Sequence, residues 1–321
     1  MKKNINILLT CVGGTHMKKN LGYIKKSKKF NVKIVGVDMD KCALGRDACH
    51  NFYIVPSPNK NKAYIQKIKI IVKKHNINLI IPTSDEESLI LSKYRNEIEK
   101  KNLKIANIDY ATLQVLSNKI ATYKKLQEIG IKTAKFDEIN SLKKLLKLAK
   151  KKKKFVIKPA AGRGSRGVFV VSNQTTVEQK FFNDREIHCN IKRFVSKYAK
   201  TITQYPILLM EKLDGPAFDL DIVASHGSIK RLVLRKRRIA QEPDYGHYIE
   251  KVPVKILKDF KRIVNFFKLH WMYDCDLMKD KNGNLRILEI NPRPSGSVYG
   301  SYLSRYNLFD DLFSIYFNKK N

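Results

Sequence analysis

The chain has 321 residues, 43% of them hydrophobic and 29% charged, with a formal net charge of +35. That length carries two or three domains with cores of their own, and no run approaches the ~20 apolar residues that span a bilayer. Five cysteines (Cys11, Cys42, Cys49, Cys189 and Cys275) are odd in number and lack C-x-x-C spacing, which argues against a disulfide framework and for reduced thiols in the cytoplasm.

The excess charge is mostly lysine, spread along the chain among many asparagines and isoleucines. Such a field attracts nucleic acid, acidic surfaces or anionic small molecules, yet the same pattern follows from a proteome biased towards Lys, Asn and Ile codons. Lys150 to Lys154 separate a helical pattern from a strand pattern and read as a solvated connection. Arginine–aromatic interleaving of the kind single-strand binders use is absent, so nucleic acid is not the expected partner.

Residues 5–9 (Ile-Asn-Ile-Leu-Leu) read as a buried strand, too short for a secretory segment. A Gly13-Gly14 turn, a basic helix and a second apolar strand at 32–38 follow, the start of a doubly wound parallel sheet. The glycines fall short of a dinucleotide fingerprint. Asp38 and Asp40 end that strand as ligand contacts or as structural caps. A helix is expected near 62–74, then a strand at 79–82. The segment 83–87 (Thr-Ser-Asp-Glu-Glu) has the composition of a capped helix start. A short strand at 104–106 closes this first unit near residue 113.

Helical pattern then runs from Thr112 to Gly130, with a further helix at 142–150. Residues 155–171 pass from an apolar strand carrying Lys158 through Gly162-Arg163-Gly164-Ser165-Arg166-Gly167 into a second apolar strand. No G-K-[ST] opens a helix there, so it is not a Walker loop. It reads as a hairpin whose N–H groups, Arg163 and Arg166 can close over phosphates. The alternative is a mobile surface hairpin with an edge lysine that discourages sheet pairing. Residues 174–205 read as helical and polar. Asp219 and Asp221 alternate with apolar residues, so both face one side of a strand. Residues 230–238 form a very basic strand, Tyr245-Gly246-His247 a loop with an ordinary loop histidine, 255–269 an amphipathic helix, and 301–317 a closing helix.

The stretch with the most chemistry is 287–297, Ile-Leu-Glu-Ile-Asn-Pro-Arg-Pro-Ser-Gly-Ser. Glu289 and Asn291 share a strand face, and Asn282-Gly283 upstream is a strong hairpin signal. A two-residue turn there puts Asp276 opposite Glu289 and Asp274 opposite Asn291. Opposed like charges repel, and a cation between them converts repulsion into binding; such oxygen sets suit Mg²⁺. The bland alternative is a solvated acidic hairpin. Arg293 on a Pro-rich loop and the open backbone of Ser295-Gly296 tilt the reading towards a phosphate site.

Taken in order, these motifs resemble the ATP-grasp superfamily over nearly the whole chain, and within it the ligases related to the large subunit of carbamoyl-phosphate synthase. They are Asn118-Lys119, Lys158-Pro159 before the glycine loop, Met210-Glu211-Lys212-Leu213, the acidic strand at 219–221, and Asp276 with Glu289-x-Asn291-Pro292-Arg293. The resemblance implies an α/β fold of three lobes: a doubly wound parallel N-terminal domain (1–113), a small α+β ATP lid (114–209) and a C-terminal α+β domain with an antiparallel sheet (210–321), with nucleotide between the last two. It implies that Lys119 and Lys158 contact ATP phosphates under the 162–167 loop. Glu211, Lys212 and Leu213 would meet adenine through their backbone, with Asp219 near the ribose, where relatives often carry Glu. Asp276, Glu289 and Asn291 would hold Mg²⁺, with Mn²⁺ as an alternative. Arg293 and Lys158 would act on the transferred phosphoryl group, and Arg293, Ser295 and Gly296 would meet substrate; the excess positive charge of 230–238, which suits anionic substrates, separately puts Arg235 there.

The implied activity is an ATP-dependent carboxylate–amine ligase working through an acyl phosphate. The chain is then expected in the cytoplasm, with small-molecule partners, no membrane and a homodimer as the assembly it allows. The alternatives are a non-catalytic nucleotide- or polyanion-binding protein on the same fold, and phosphoryl transfer without ligation.

Overall fold

The structure is a computed structural model that describes residues 1–161, 167–181, 186–204, 206–239 and 242–318. The chain divides into two compact units. One comprises Met1–Gln114, Pro216–Leu277 and Ile290–Asn321; the other comprises Val115–Gly215 and Met278–Glu289.

The first unit opens with the expected parallel sheet. Its strands are β1 (Lys3–Leu9), β2 (Phe30–Asp38), β3 (Asn51–Ile54), β4 (Leu79–Ile81) and β5 (Lys104–Ile105), in the spatial order β3-β2-β1-β4-β5. Every neighbouring pair is parallel. Strands of such a sheet are covered on both faces and so read as continuous apolar runs; β4, Leu-Ile-Ile, is wholly buried. Helices Met17–Lys25 and Asn61–Lys74 supply covering residues such as Leu21, Ile24, Ile65 and Ile68. Helix Asp85–Lys93 is capped as its sequence promised, with Ser84 Oγ accepting from Glu87 N.

The chain leaves β1 towards β2 and later returns to β4 on its other side, so the carboxyl ends of β1 and β4 form the switch point of the sheet. Glu87 is buried there, 4% exposed, and accepts hydrogen bonds from Thr10 Oγ1 (2.8 Å), Ser84 Oγ (2.8 Å) and Tyr64 OH (3.1 Å). Burial pushes its carboxyl up to about 7 against those three donors.

The second unit is built on a six-stranded sheet of β6 (Phe136–Ile139), β7 (Lys154–Pro159), β8 (Val168–Ser172), β9 (Gln179–Phe181), β10 (Glu186–Cys189) and β11 (Ile207–Glu211), ordered β6-β11-β7-β8-β10-β9. β7 and β8 are antiparallel, as the hairpin reading requires. Three expectations are corrected here and at the end of the chain. The helix expected from Thr112 to Gly130 is two helices, Tyr110–Leu116 and Lys119–Glu128, because Asn118 starts the second by accepting from Ala121 N at 3.0 Å. The helical reading of 174–205 misses β9 and β10; Ile187 and Cys189 point inward two residues apart, the period of a strand. The closing helix is a 3₁₀ segment, Val298–Ser304, followed by Leu308–Phe317, which Asn307 caps.

The remaining strands are β12 (Ala217–Ser225), β13 (Ser228–Ile239), β14 (Glu242–Glu250), β15 (Trp271–Lys279) and β16 (Leu285–Asn291), in the order β14-β13-β12-β15-β16. His247 therefore lies on a strand and not in a loop, since β14 pairs along β13 with Arg237 opposite His247. The β15–β16 connection is also one residue wider than a two-residue Asn282-Gly283 turn. Gly283 N donates to Asp280 O at 2.9 Å and Asp280 N to Asn284 O at 2.8 Å. Gly283 takes φ +78, the left-handed value that glycine adopts without strain. Among the described residues no helix is long and apolar enough to cross a membrane.

Candidate functional site

In the second unit the two lysines singled out by sequence come to one place. Lys158 interrupts the apolar run of β7 and is 8% exposed; its Nζ donates to Leu288 O at 3.5 Å and stands 5.9 Å from the Tyr123 ring centre. Lys119 follows the Asn118 cap, is 7% exposed, and pairs with Glu289 Oε1 at 3.3 Å. Its backbone N donates to Ala160 O at 2.8 Å, tying the helix start to the end of β7. Tyr123 OH donates to Leu288 O at 2.8 Å. Two cationic side chains thus bear on 288–289, and Glu289 keeps 20% of its side chain open.

Glu211 ends β11, and Lys212 and Leu213 follow it. Glu211 Oε1 accepts from Lys135 N at 2.8 Å, and Lys212 Nζ donates to Leu213 O at 2.8 Å. Gly215 follows, and a Cβ there would meet Lys279 O at 2.5 Å, so only glycine lets these two segments close on each other. Gly162, Arg163, Gly164, Ser165 and Arg166 lie outside the described residues; Gly167 is described and has φ +74.

The first unit holds a buried network of opposite charges. Asp219 and Asp221 share a face of β12; on β13 Arg235 lies opposite Asp219, and Arg237, two residues on, shares the face of Arg235. Arg235 is 0% exposed; its Nε and Nη2 donate to the two oxygens of Asp221 at 2.8 and 3.1 Å. Its Nη1 reaches Ser297 Oγ at 3.1 Å and His247 Nε2 at 3.0 Å. Ser301 Oγ also donates to Asp221. Arg237 Nη2 bridges Asp219 Oδ1 and Asp276 Oδ1, each at 2.5 Å. Burial pushes the Asp219 carboxyl up, but Arg237, Arg235 and the His247 contact at 2.9 Å together hold it well below the usual range.

Asp274, on the same strand as Asp276, is 3% exposed. Its Oδ2 accepts from Asn291 Nδ2 at 3.1 Å, while its Oδ1 has no hydrogen-bond partner. Burial first, and then the carboxylates of Asp276, Asp219 and Asp221, raise it well above the ordinary range. Asp219, Asp274 and Asp276 each offer one oxygen within 4.8 Å of the other two. Hard oxygen donors are the kind that Mg²⁺, Mn²⁺ and Ca²⁺ take.

The other expected positions fall in the first unit as follows. Arg293 Nε donates to Asp85 Oδ1 at 3.1 Å and its Nη1 to Pro294 O at 3.1 Å. Ser295 is 5% exposed and its Oγ accepts from Ser297 N. Gly296 O accepts from Asn20 Nδ2 at 2.8 Å. Arg235, expected at substrate, presents no surface, because its donors are spent within the network. The basic strand as a whole is less of an anion magnet than its composition suggested. Arg235 and Arg237 face aspartates, and Arg231 pairs with Asp311.

Sequence reasoning passed over Arg237, His247, Asp221 and Ser301 as site residues. The signal was the repeat of Asp-x-Asp on one strand and Arg-x-Arg on the next, obscured by a register shift between Val223 and Ala224.

Comparison with known proteins bears on the fold. A family model described as an ATP-grasp in the biosynthetic pathway with Ter operon matches residues 203–318, and a PylC-like N-terminal domain matches residues 7–106. An uncharacterised protein of Methanocaldococcus jannaschii is 27% identical over 185 residues, which is 57% of this chain and 42% of that protein's length. Among solved structures, the L-amino acid ligase from Bacillus licheniformis superposes with a TM-score of 0.72 at 17% identity, covering 99% of this chain and 75% of that one. N5-carboxyaminoimidazole synthetase from Staphylococcus aureus, complexed with ADP, gives 0.68 at 15% identity, covering 100% and 79%. Biotin carboxylase from Campylobacter jejuni gives 0.67 at 16% identity, covering 97% and 70%. The carbamoyl-phosphate synthase group is a loose fit to these relatives.

Proposed function

We propose that this chain, an ATP-grasp protein in fold, is an ATP- and Mg²⁺-dependent ligase that joins a small-molecule carboxylate to an amine through an acyl phosphate. The observation that carries the reading is the pair of buried lysines, Lys119 and Lys158, gathered on Leu288 and Glu289. A lysine is rarely this buried without an anionic partner, and a polyphosphate supplies several. The names of the relatives, an L-amino acid ligase and an N5-carboxyaminoimidazole synthetase, support ligation over phosphoryl transfer alone.

In the second unit, Lys119 and Lys158 would neutralise phosphate oxygens and the backbone of Glu211, Lys212 and Leu213 would meet adenine, while Glu289 would give an oxygen to Mg²⁺. In the first unit, Asp276 and Asn291 would give oxygens to Mg²⁺, and Arg293, steadied by Asp85, would orient the transferred phosphoryl group. The donor set fits the ion, being carboxylate and amide oxygens. Mg²⁺, when bound, offsets the charge of the phosphates. The substrate carboxylate oxygen attacks the γ-phosphorus, the bond to the bridging oxygen breaks and ADP leaves. The amine nitrogen then attacks the acyl carbon; phosphate departs with the bonding pair and the amine loses a proton. The chain contributes positioning and charge. Ser295 and Gly296 belong to the substrate side of this proposal, as do a cytoplasmic location and a homodimer.

Thermal unfolding with and without Mg·ATP tests it. Nucleotide at 100 times its Kd adds about 2.7 kcal/mol to the folded state, a shift that Glu289→Ala is expected to lose. No shift in the unaltered protein defeats the nucleotide site.

A further inference from the structure

We propose that Asp219, Asp274 and Asp276 together form a divalent-cation site, and that the Arg237 guanidinium competes with the cation for two of its three carboxylates. The proposal rests on the ligase reading only in sharing Asp276; it adds Asp274 and Asp219 as ligands and withdraws Asp219 from the ribose.

Three observations carry it. The first is distance: one oxygen from each residue lies within 4.8 Å of the other two. Oxygens on a Mg²⁺ ion stand about 3.0 Å apart when adjacent and about 4.2 Å when opposite, from bonds of ~2.1 Å, so side-chain rotation has to close the cluster by up to about 2 Å. The second is the orphaned oxygen. Asp274 is 3% exposed and its Oδ1 has no hydrogen-bond partner, although its Oδ2 is held by Asn291. A buried carboxyl oxygen without a partner is costly, and a cation is one partner that its position can take.

The third is charge. The carboxylates of Asp219, Asp221, Asp274 and Asp276 face the guanidiniums of Arg235 and Arg237. Arg235 is committed to Asp221 through two parallel bonds. Arg237 instead spans Asp219 and Asp276 with the same nitrogen, which is the place a shared cation takes. It is also the more exposed of the two, with 19% of its side chain open against 0% for Arg235, so it has somewhere to go.

Mn²⁺ binding followed by electron paramagnetic resonance, with no nucleotide present, decides the matter. Asp274→Asn is isosteric and puts a neutral polar group where burial already disfavours the anion, so the fold is expected to persist, which near-ultraviolet circular dichroism checks. It should weaken Mn²⁺ at least tenfold. Arg237→Met should tighten Mn²⁺ tenfold or more by removing the competitor; if that variant does not fold, Asp274→Asn alone gives the answer. Unchanged affinity in Asp274→Asn, or weaker binding in a folded Arg237→Met, overturns the proposal. Mn²⁺ binding that depends on Glu289 and not on Asp274 also overturns it while leaving the ligase reading intact. Conversely, Asp274-dependent Mn²⁺ binding in a protein that Mg·ATP fails to stabilise keeps this site and sinks that reading.

Discussion

In the first unit Arg235 is 0% exposed and lies between Asp221, His247 and Ser297, whereas in the second Lys119 and Lys158 are 7% and 8% exposed and bear on one carboxylate and one main-chain carbonyl. The difference follows from the side chains. A guanidinium is a rigid fork that several acceptors can fix at once, while an ammonium is a point charge on a flexible stem that redirects when a better anion arrives. The arginine network reads as scaffold and the lysine pair as contact surface. Burial alone does not separate them; the shape of the cation does.

Arg235→Ala tests the scaffold half most severely. It would leave Asp221 buried without its bidentate partner, a change expected to cost about 3–5 kcal/mol in urea unfolding. A cost below about 1 kcal/mol would mean that the network is not a stabilising unit and would erase the contrast.

Glu87 offers a third arrangement, a buried carboxyl served by three hydroxyls, and it sharpens the comparison through pH. Its folded value of about 7 lies above the ordinary 4.5, so the folded form holds its proton more tightly than the unfolded chain. The resulting stability is complete below the unfolded value and is lost as pH rises through about 7, amounting to about 3 kcal/mol. Glu87→Gln should flatten that slope in denaturation measured from pH 4.5 to pH 8. An unaltered slope would assign the pH dependence elsewhere. The smallest effect belongs to Asn118→Ala, which removes the cap that presents Lys119 and should cost about 1 kcal/mol, read as a lowered melting temperature.

Much of the fold was legible because its signals are local. The parallel sheet shows as apolar runs such as Leu79-Ile80-Ile81, the start of helix Asp85–Lys93 as Ser84 with acidic residues behind it, and the lysine site as one charge inside the run of β7. The buried network was not legible, because it depends on register across strands. A two-residue His226-Gly227 turn sets one pairing, and the irregularity between Val223 and Ala224 shifts it by one residue, bringing Asp219 opposite Arg235. Such a bulge changes which side chains meet and leaves no mark in composition. His247 was misjudged for the same reason, since its strand is defined by pairing with β13 rather than by apolar alternation.

The acidic cluster of Asp219, Asp274 and Asp276 belongs to a chain whose formal charge is +35. A bare divalent ion diffusing towards it meets a repelling particle before it meets the carboxylates, whereas the same ion carried on a triphosphate arrives as part of an anion and is drawn in. Added salt, which shortens the reach of this field from ~10 Å at 0.1 M to ~3 Å at 1 M, therefore speeds the lone ion's arrival and slows that of the nucleotide complex. On the proposed function, the surplus lysines, whatever the source of their abundance, would favour metal that arrives on the nucleotide over metal that arrives alone.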